Sequence, residues 1–173
     1  MPSAYTLISS NVLASSAGTI TFSSIPATYT DLVLLSSIRT DQAGLDNGTA
    51  NLTLNGDTAS NYSATNFTSF ISGRNSGRSS SATSVAIGSG ALNSAGHLSN
   101  TFGTLELYIP NYLVSANKPL RLFSASENNV TNVYMSGQAI LWRNTAAITS
   151  ITFTCGGNFV PGSSFYLYGI KNS

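Results

Sequence analysis

Apolar residues in this chain recur at every second position, and that period decides the fold class. Ile20 and Phe22 alternate with Thr19, Thr21 and Ser23; Leu105, Leu107 and Ile109 alternate with Thr104, Glu106 and Tyr108; Ile151, Phe153 and Cys155 alternate with Thr152 and Thr154. Successive side chains of a strand point to opposite faces, so each run describes a strand with one buried and one solvated face. Residues 5–9, 31–39, 66–72, 120–126, 130–136, 138–143 and 164–170 add further runs rich in Thr, Val, Ile and aromatics, with Ser, Asn, Gly and Pro in the gaps. Leu52 and Leu54 lead into Asn55-Gly56, a type I′ hairpin signal. No run keeps the 3.6-residue period of an amphipathic helix. About eight to eleven short strands joined by turns predict an all-β, antiparallel β-sandwich. A jelly roll is the version the strand count favours, with an immunoglobulin-type sandwich as runner-up.

The last strand departs from clean alternation. In "SFYLYGI", Phe165 and Leu167 share one face while Tyr166, Tyr168 and Ile170 share the other. A strand with two apolar faces is covered on both. Phe165 and Leu167 belong with Ile151 and Phe153 in the core, and the two strands are expected to pair as a hairpin. Tyr166 and Tyr168 are then candidates for a subunit or shell contact, unless a segment such as residues 5–9 covers them. Tyr108 and Tyr112 in "YIPNY" join them as candidate interface residues, because tyrosine buries much area at low entropic cost.

Residues 72–100 break the rhythm. The stretch is rich in Gly and Ser, and only "SVAIG" suggests a strand. It reads as a long loop carrying Arg74 and Arg78, either a solvated tip or an arm that orders on a partner.

The chain has 173 residues, expected to form one domain, and only 8% are Asp, Glu, Lys or Arg, against about 25% in ordinary domains. Ser, Thr and Asn fill more than a third of it, so the surface is mostly neutral hydroxyls and amides. With 42% hydrophobic residues the composition is not that of a disordered chain. The net charge of +1 offers no footprint for nucleic acid or an anionic membrane. No apolar run approaches the ~18 residues of a membrane span, and the N-terminal stretch lacks the marks of a signal peptide. Cys155, the one cysteine, alternates with core positions and is expected to be buried and inert. Asn-x-Ser/Thr matches at Asn47, Asn51, Asn61, Asn66 and Asn129 are no more frequent than this composition gives by chance.

Catalytic chemistry finds little support. The one histidine, His97, lies in the Gly/Ser stretch, and no nucleophile elbow accompanies it. The six acidic residues form no recognisable pair, and one His with one Cys does not make a zinc site. Asp41, Asp46 and Asp57, with Asn47 and Asn51, offer oxygen ligands for calcium but lack an EF-hand spacing and also read as turn residues. Trp142 in "AILWRN" is either a core residue or a sugar-stacking platform. No enzyme activity, cofactor or metal is expected.

Several stretches carry a family likeness in this order: "FSSIPATYTDLVLLSSIR", "LNGDTASNYS", "FGTLELYIPNY", "ILWRNTAAITSITFT" and "GGNFVPGSSFYLYGIK". Together they resemble small β-rich virion proteins of tailed bacteriophages, a group that includes decoration-type and fibre-type proteins. The best matching segments are residues 25–39 and 148–171. The resemblance implies a structural, oligomeric component on the outer surface of a phage particle. The favoured form is a capsid decoration, or cement, protein that clusters with itself as a homotrimer and contacts the major capsid protein or other virion proteins. Heptads and collagen-like periods, which many fibres carry, are absent. The alternative is a tail-fibre or receptor-binding module contacting host surface glycan.

Overall fold

In a computed structural model, residues 5–43, 48–127 and 133–171 are described. They form twelve strands and no helix. In chain order these are β1 (Tyr5–Val12), β2 (Ala17–Phe22), β3 (Asp31–Ile38), β4 (Gly48–Leu54), β5 (Tyr62–Phe70), β6 (Gly73–Ala82), β7 (Val85–Leu92), β8 (Gly103–Ile109), β9 (Lys118–Ser126), β10 (Tyr134–Trp142), β11 (Ile151–Phe159) and β12 (Ser164–Ile170). They build two antiparallel sheets packed as a β-sandwich. The large sheet runs β1-β12-β3-β8-β9-β10-β5-β6 and the small sheet β2-β11-β4-β7.

The chain alternates between layers from β1 to β4, so neighbours in sequence face each other across the core. Two hairpins, β5–β6 and β9–β10, depart from this pattern and widen the large sheet beyond β8. The small sheet's edge strand β7 packs beneath that extension, against β8, β9, β10 and β5. The core lies between the inner faces, where Leu34, Leu52, Leu107, Phe153, Phe165 and Leu167 are all essentially buried.

The turns explain the layering. Asn55 and Gly56 both have positive φ (51° and 65°), and the Asp57 N–H donates to the Leu54 carbonyl at 2.9 Å, as a type I′ turn requires. The strands on either side do not pair, however: β4 belongs to the small sheet and β5 to the large one. The turn is a corner between layers, held by the Asn55 side chain, which accepts the N–H groups of Thr149 and Ser150.

Three other expectations are corrected. β11 and β12 are not a hairpin; they lie in opposite sheets, and their aromatic rings meet through the core, Phe159 against Phe165 at 5.2 Å and Phe153 against Phe165 at 5.9 Å. The two runs 130–136 and 138–143 are one strand, β10, continuous through Gly137; residues 128–132 lie outside the described part. Residues 72–100 are not a loop, since β6 and β7 occupy most of them. β6 is exposed almost throughout and pairs with β5 through its backbone, so no hydrophobic alternation announces it.

Candidate functional site

The outer face of the large sheet carries the features that matter for recognition. Strand register places its residues in rows that cross the sheet. One row runs Ser10, Tyr166, Leu35, Glu106, Phe123, Gly137, Phe67, Ser76. The next runs Leu7, Tyr168, Val33, Tyr108, Arg121, Ala139, Thr65, Arg78. A third places Met135 between Ala125 and Ser69, with Arg74 beyond. No second layer covers these rows among the described residues. Leu35, Phe67, Phe123 and Met135 remain 39%, 55%, 43% and 61% exposed, so the face presents apolar side chains to its surroundings rather than hiding them.

The middle of this face is built around Arg121. Its guanidinium pairs with Glu106 at 2.7 Å and lies over two rings, 5.5 Å from the centre of Tyr108 and 5.3 Å from that of Phe123. The ion pair is half-exposed and contributes little to stability, about 0–1 kcal/mol. Its consequence is local neutrality: the charges cancel, and the aromatic surroundings set the character of the face. A groove of about 450 Å³ opens here, lined by Leu35, Thr104, Glu106, Phe123, Ala125 and Met135. Another of about 390 Å³ lies beside it, over Phe67, Arg121, Phe123 and Gly137. Gly137 lies beneath two of these rings. The Phe67 and Phe123 rings cover the space a side chain would fill, at 2.5 and 2.8 Å from where a Cβ would stand.

Tyr108 is fixed by the first residue of β3, on the same face. Its hydroxyl donates to Asp31 Oδ2 at 2.9 Å, while Asp31 Oδ1 accepts the Asn111 N–H at 2.8 Å. Burial first, and then the bond to Asp31, raise the Tyr108 phenol above its ordinary value, so the ring stays neutral. Tyr168 packs edge-on against Tyr5 at 6.2 Å. β1 does not cover β12 as a layer; it lies beside β12 in the same sheet and extends the face.

Five of the six candidate interface residues therefore share one side of the molecule. Tyr108, Tyr166 and Tyr168 stand on the left and centre of the face, and Arg74 and Arg78 at its far edge on β6. Tyr112 does not belong. It is fully buried, and its hydroxyl donates to the Pro26 carbonyl inside the fold. Pro110 ends β8, and the turn that follows carries Tyr112 back into the core. Phe67, Phe123, Met135, Leu35 and Arg121 escaped the sequence analysis. Phe123 had a legible signal, since it stands at the polar parity of the run Leu120, Leu122, as Tyr166 does in its own strand.

The remaining candidates are structural. Trp142 is fully buried, stacks on Tyr62, and donates its indole N–H to Asp57 Oδ2 at 2.7 Å, so it is no sugar platform. Asp41 instead holds Asn158, accepting its backbone N–H at 2.6 Å and its amide at 2.8 Å. The two aspartates serve different ends of β11 and β10, while Asp46 and Asn47 lie outside the described residues. His97 sits in a turn where its Nδ1 accepts the Ser94 N–H at 3.0 Å, and Arg39 donates to the carbonyls of His97, Leu98 and Thr101. The Cys155 thiol is buried, and burial pushes its pKa up, away from reactivity. Among the described residues no three His, Cys, Asp or Glu side chains cluster as a metal site.

Comparison with protein families, with curated proteins and with solved structures finds no match to this chain.

Proposed function

We propose that this chain is a structural subunit of a virus particle, a capsid decoration protein of the tailed-phage kind, which docks through the outer face of its large sheet. The observation that carries this reading is the wide, neutral, aromatic-rich face opposite the core. Eight strands spaced ~4.8 Å apart and about seven residues long present on the order of 900 Å². That matches the ~800 Å² per partner of a standard stable interface. A broad face whose central ion pair cancels suits a contact repeated over a regular shell, where each copy adds the same burial.

We also infer that the frame is a jelly roll. Its eight strands are ordered β1-β12-β3-β8 over β2-β11-β4-β7, with the two widening hairpins as insertions. Architectures of this type serve in capsids and lectins alike. The phage assignment itself rests on the sequence resemblance.

Purified particles test the reading. A decoration protein is present in hundreds of copies by stained gel, and its loss lowers particle tolerance to heat. Tens of copies, with loss abolishing adsorption, would instead establish the receptor-binding alternative. That alternative draws on one observation, the exposed Phe67 and Phe123 rings beside Arg121, which form a platform on which a sugar ring could stack.

A further inference from the structure

The two edges of the large sheet are built in opposite ways. β6 carries Arg74 and Arg78 among Gly and Ser along a strand exposed on both faces. Charges on an edge prevent it from pairing with its own copy. β1 has no charged residue and no proline in eight positions, "YTLISSNV". Leu7 and Val12 are 51% and 59% exposed, and no strand lies on its outer side among the described residues. A long edge strand without charge or proline is a template for strand addition.

We propose that β1 joins a second copy of this chain, edge to edge and antiparallel across a two-fold axis, so that two large sheets become one. The absence of charge points to self-pairing, because like meets like without repulsion. The register follows from the irregularity at Ile8. Strand pairing with β12 shifts between Leu7 and Ser9, which reverses the alternation. Tyr5 and Leu7 point outward before the shift, and Ser10 and Val12 point outward after it, since they pair with Ile170, Tyr168, Tyr166 and Ser164. Opposite residues of an antiparallel pair share a face. A full-length two-fold pairing sets Tyr5 opposite the partner's Val12 and Leu7 opposite the partner's Ser10, each on the outer face. Without the shift, this complete overlap would set outward residues against inward ones. The result carries the apolar outer rows of one copy into those of the next. It is independent of what the outer face docks on.

The edge is about 27 Å long and one sheet thick, smaller than a standard interface, so the dimer is expected to be weak and concentration-dependent. Sedimentation velocity of the full chain over rising concentration tests this. The expected result is a shift from monomer to dimer. Leu7→Lys with Val12→Lys should remain monomeric at every concentration while unfolding at the wild-type midpoint, because both side chains already lie at the surface. Arg74→Ser with Arg78→Ser, which leaves β1 untouched, should not weaken the β1 dimer, and any added larger species must come from the uncharged β6 edge. Should the double lysine variant fail to fold, Leu7→Lys alone must weaken the dimer about tenfold or more, since the two copies of residue 7 lie only about 10 Å apart along the pairing and the symmetry introduces the charge twice near the axis. A wild type that stays monomeric, a trimer of the kind expected from the sequence, or a dimer that survives the lysines overturns the proposal. Loss of particle docking with dimerisation intact would reject only the docking role of the outer face.

Discussion

Along β12, Phe165, Leu167 and Gly169 face inward and are buried, whereas Tyr166, Tyr168 and Ile170 face outward and are half-exposed. The two faces are similarly apolar but solve different problems. The inner face is filled by the small sheet, with Phe153 and Phe159 closing on Phe165. Among the described residues the outer face has no layer of its own and is built from side chains that tolerate water, above all tyrosine. An apolar strand face is thus not by itself a core face; the residue types on it distinguish a closed contact from a provisional one.

The largest expected effects lie on the inner face. Leu167→Ala or Phe165→Ala should cost about 3–5 kcal/mol, read as a fall in the denaturation midpoint, because the packed surroundings cannot collapse into the space left. A result under about 1 kcal/mol would mean that the inner face is as yielding as the outer one.

A pair of glycines sharpens the comparison. A Cβ on Gly169 would stand 2.2 Å from Cγ of Tyr29, close to that ring's attachment, so the whole side chain must move. A Cβ on Gly137 would meet only the outer edges of the Phe67 and Phe123 rings, which can swing into solvent. Gly169→Ala should therefore cost about 1–3 kcal/mol, and Tyr29→Ala should recover part of that loss. Gly137→Ala should cost less than about 1 kcal/mol while displacing both rings from the outer face. Equal costs at the two positions would remove the distinction between the faces.

The inner face also has an acid-sensitive end. Asp57 is held below the ordinary aspartate value of 3.8, first by the Asn61 amide and then by the Trp142 indole N–H. A depressed carboxylate contributes stability that is complete above 3.8 and is lost as pH falls through its folded value. Denaturation of the wild type should therefore become easier in that acid window. Asp57→Asn can keep its one oxygen on Trp142 and Asn61, but it removes the charge and the acceptor that the Ala59 N–H uses. It should cost about 1 kcal/mol near neutrality and flatten the acid slope. An unchanged slope would show that other carboxylates carry it.

How much of this was legible beforehand depended on what each element buries. Strands such as β8 and β11 alternate because one face is packed and the other is wet, so their period announced them. β6 buries almost nothing; its Ser, Gly and Arg residues read as a loop, and only backbone pairing makes it a strand. Layer assignment was also hidden. Asn55-Gly56 specifies a tight turn, but whether the flanking strands pair or part depends on contacts far along the chain, such as those from Asn55 to Thr149 and Ser150. The doubled apolar pattern of β12 did point to the outer face. Tyr112 misled because its neighbour Tyr108 and its position after Pro110 said nothing about the direction of the turn.

The smallest effect on folding belongs to the outer tyrosines, and it is the one that tests their role. Tyr166→Ser with Tyr168→Ser removes two rings that contact little of the core, although Tyr168 gives up its edge contact with Tyr5. The denaturation midpoint should shift by no more than about 1 kcal/mol. Binding to particles stripped of the protein should fall far more, because tyrosines that serve as interface hot spots contribute ~2 kcal/mol or more each when buried by a partner. The ratio of the two losses is the informative quantity. Folding and docking falling together would mean that the rings serve the sheet itself. Docking falling alone assigns the outer face of β12 to a partner, and explains why a strand inside the sheet keeps tyrosine where alternation calls for serine or threonine.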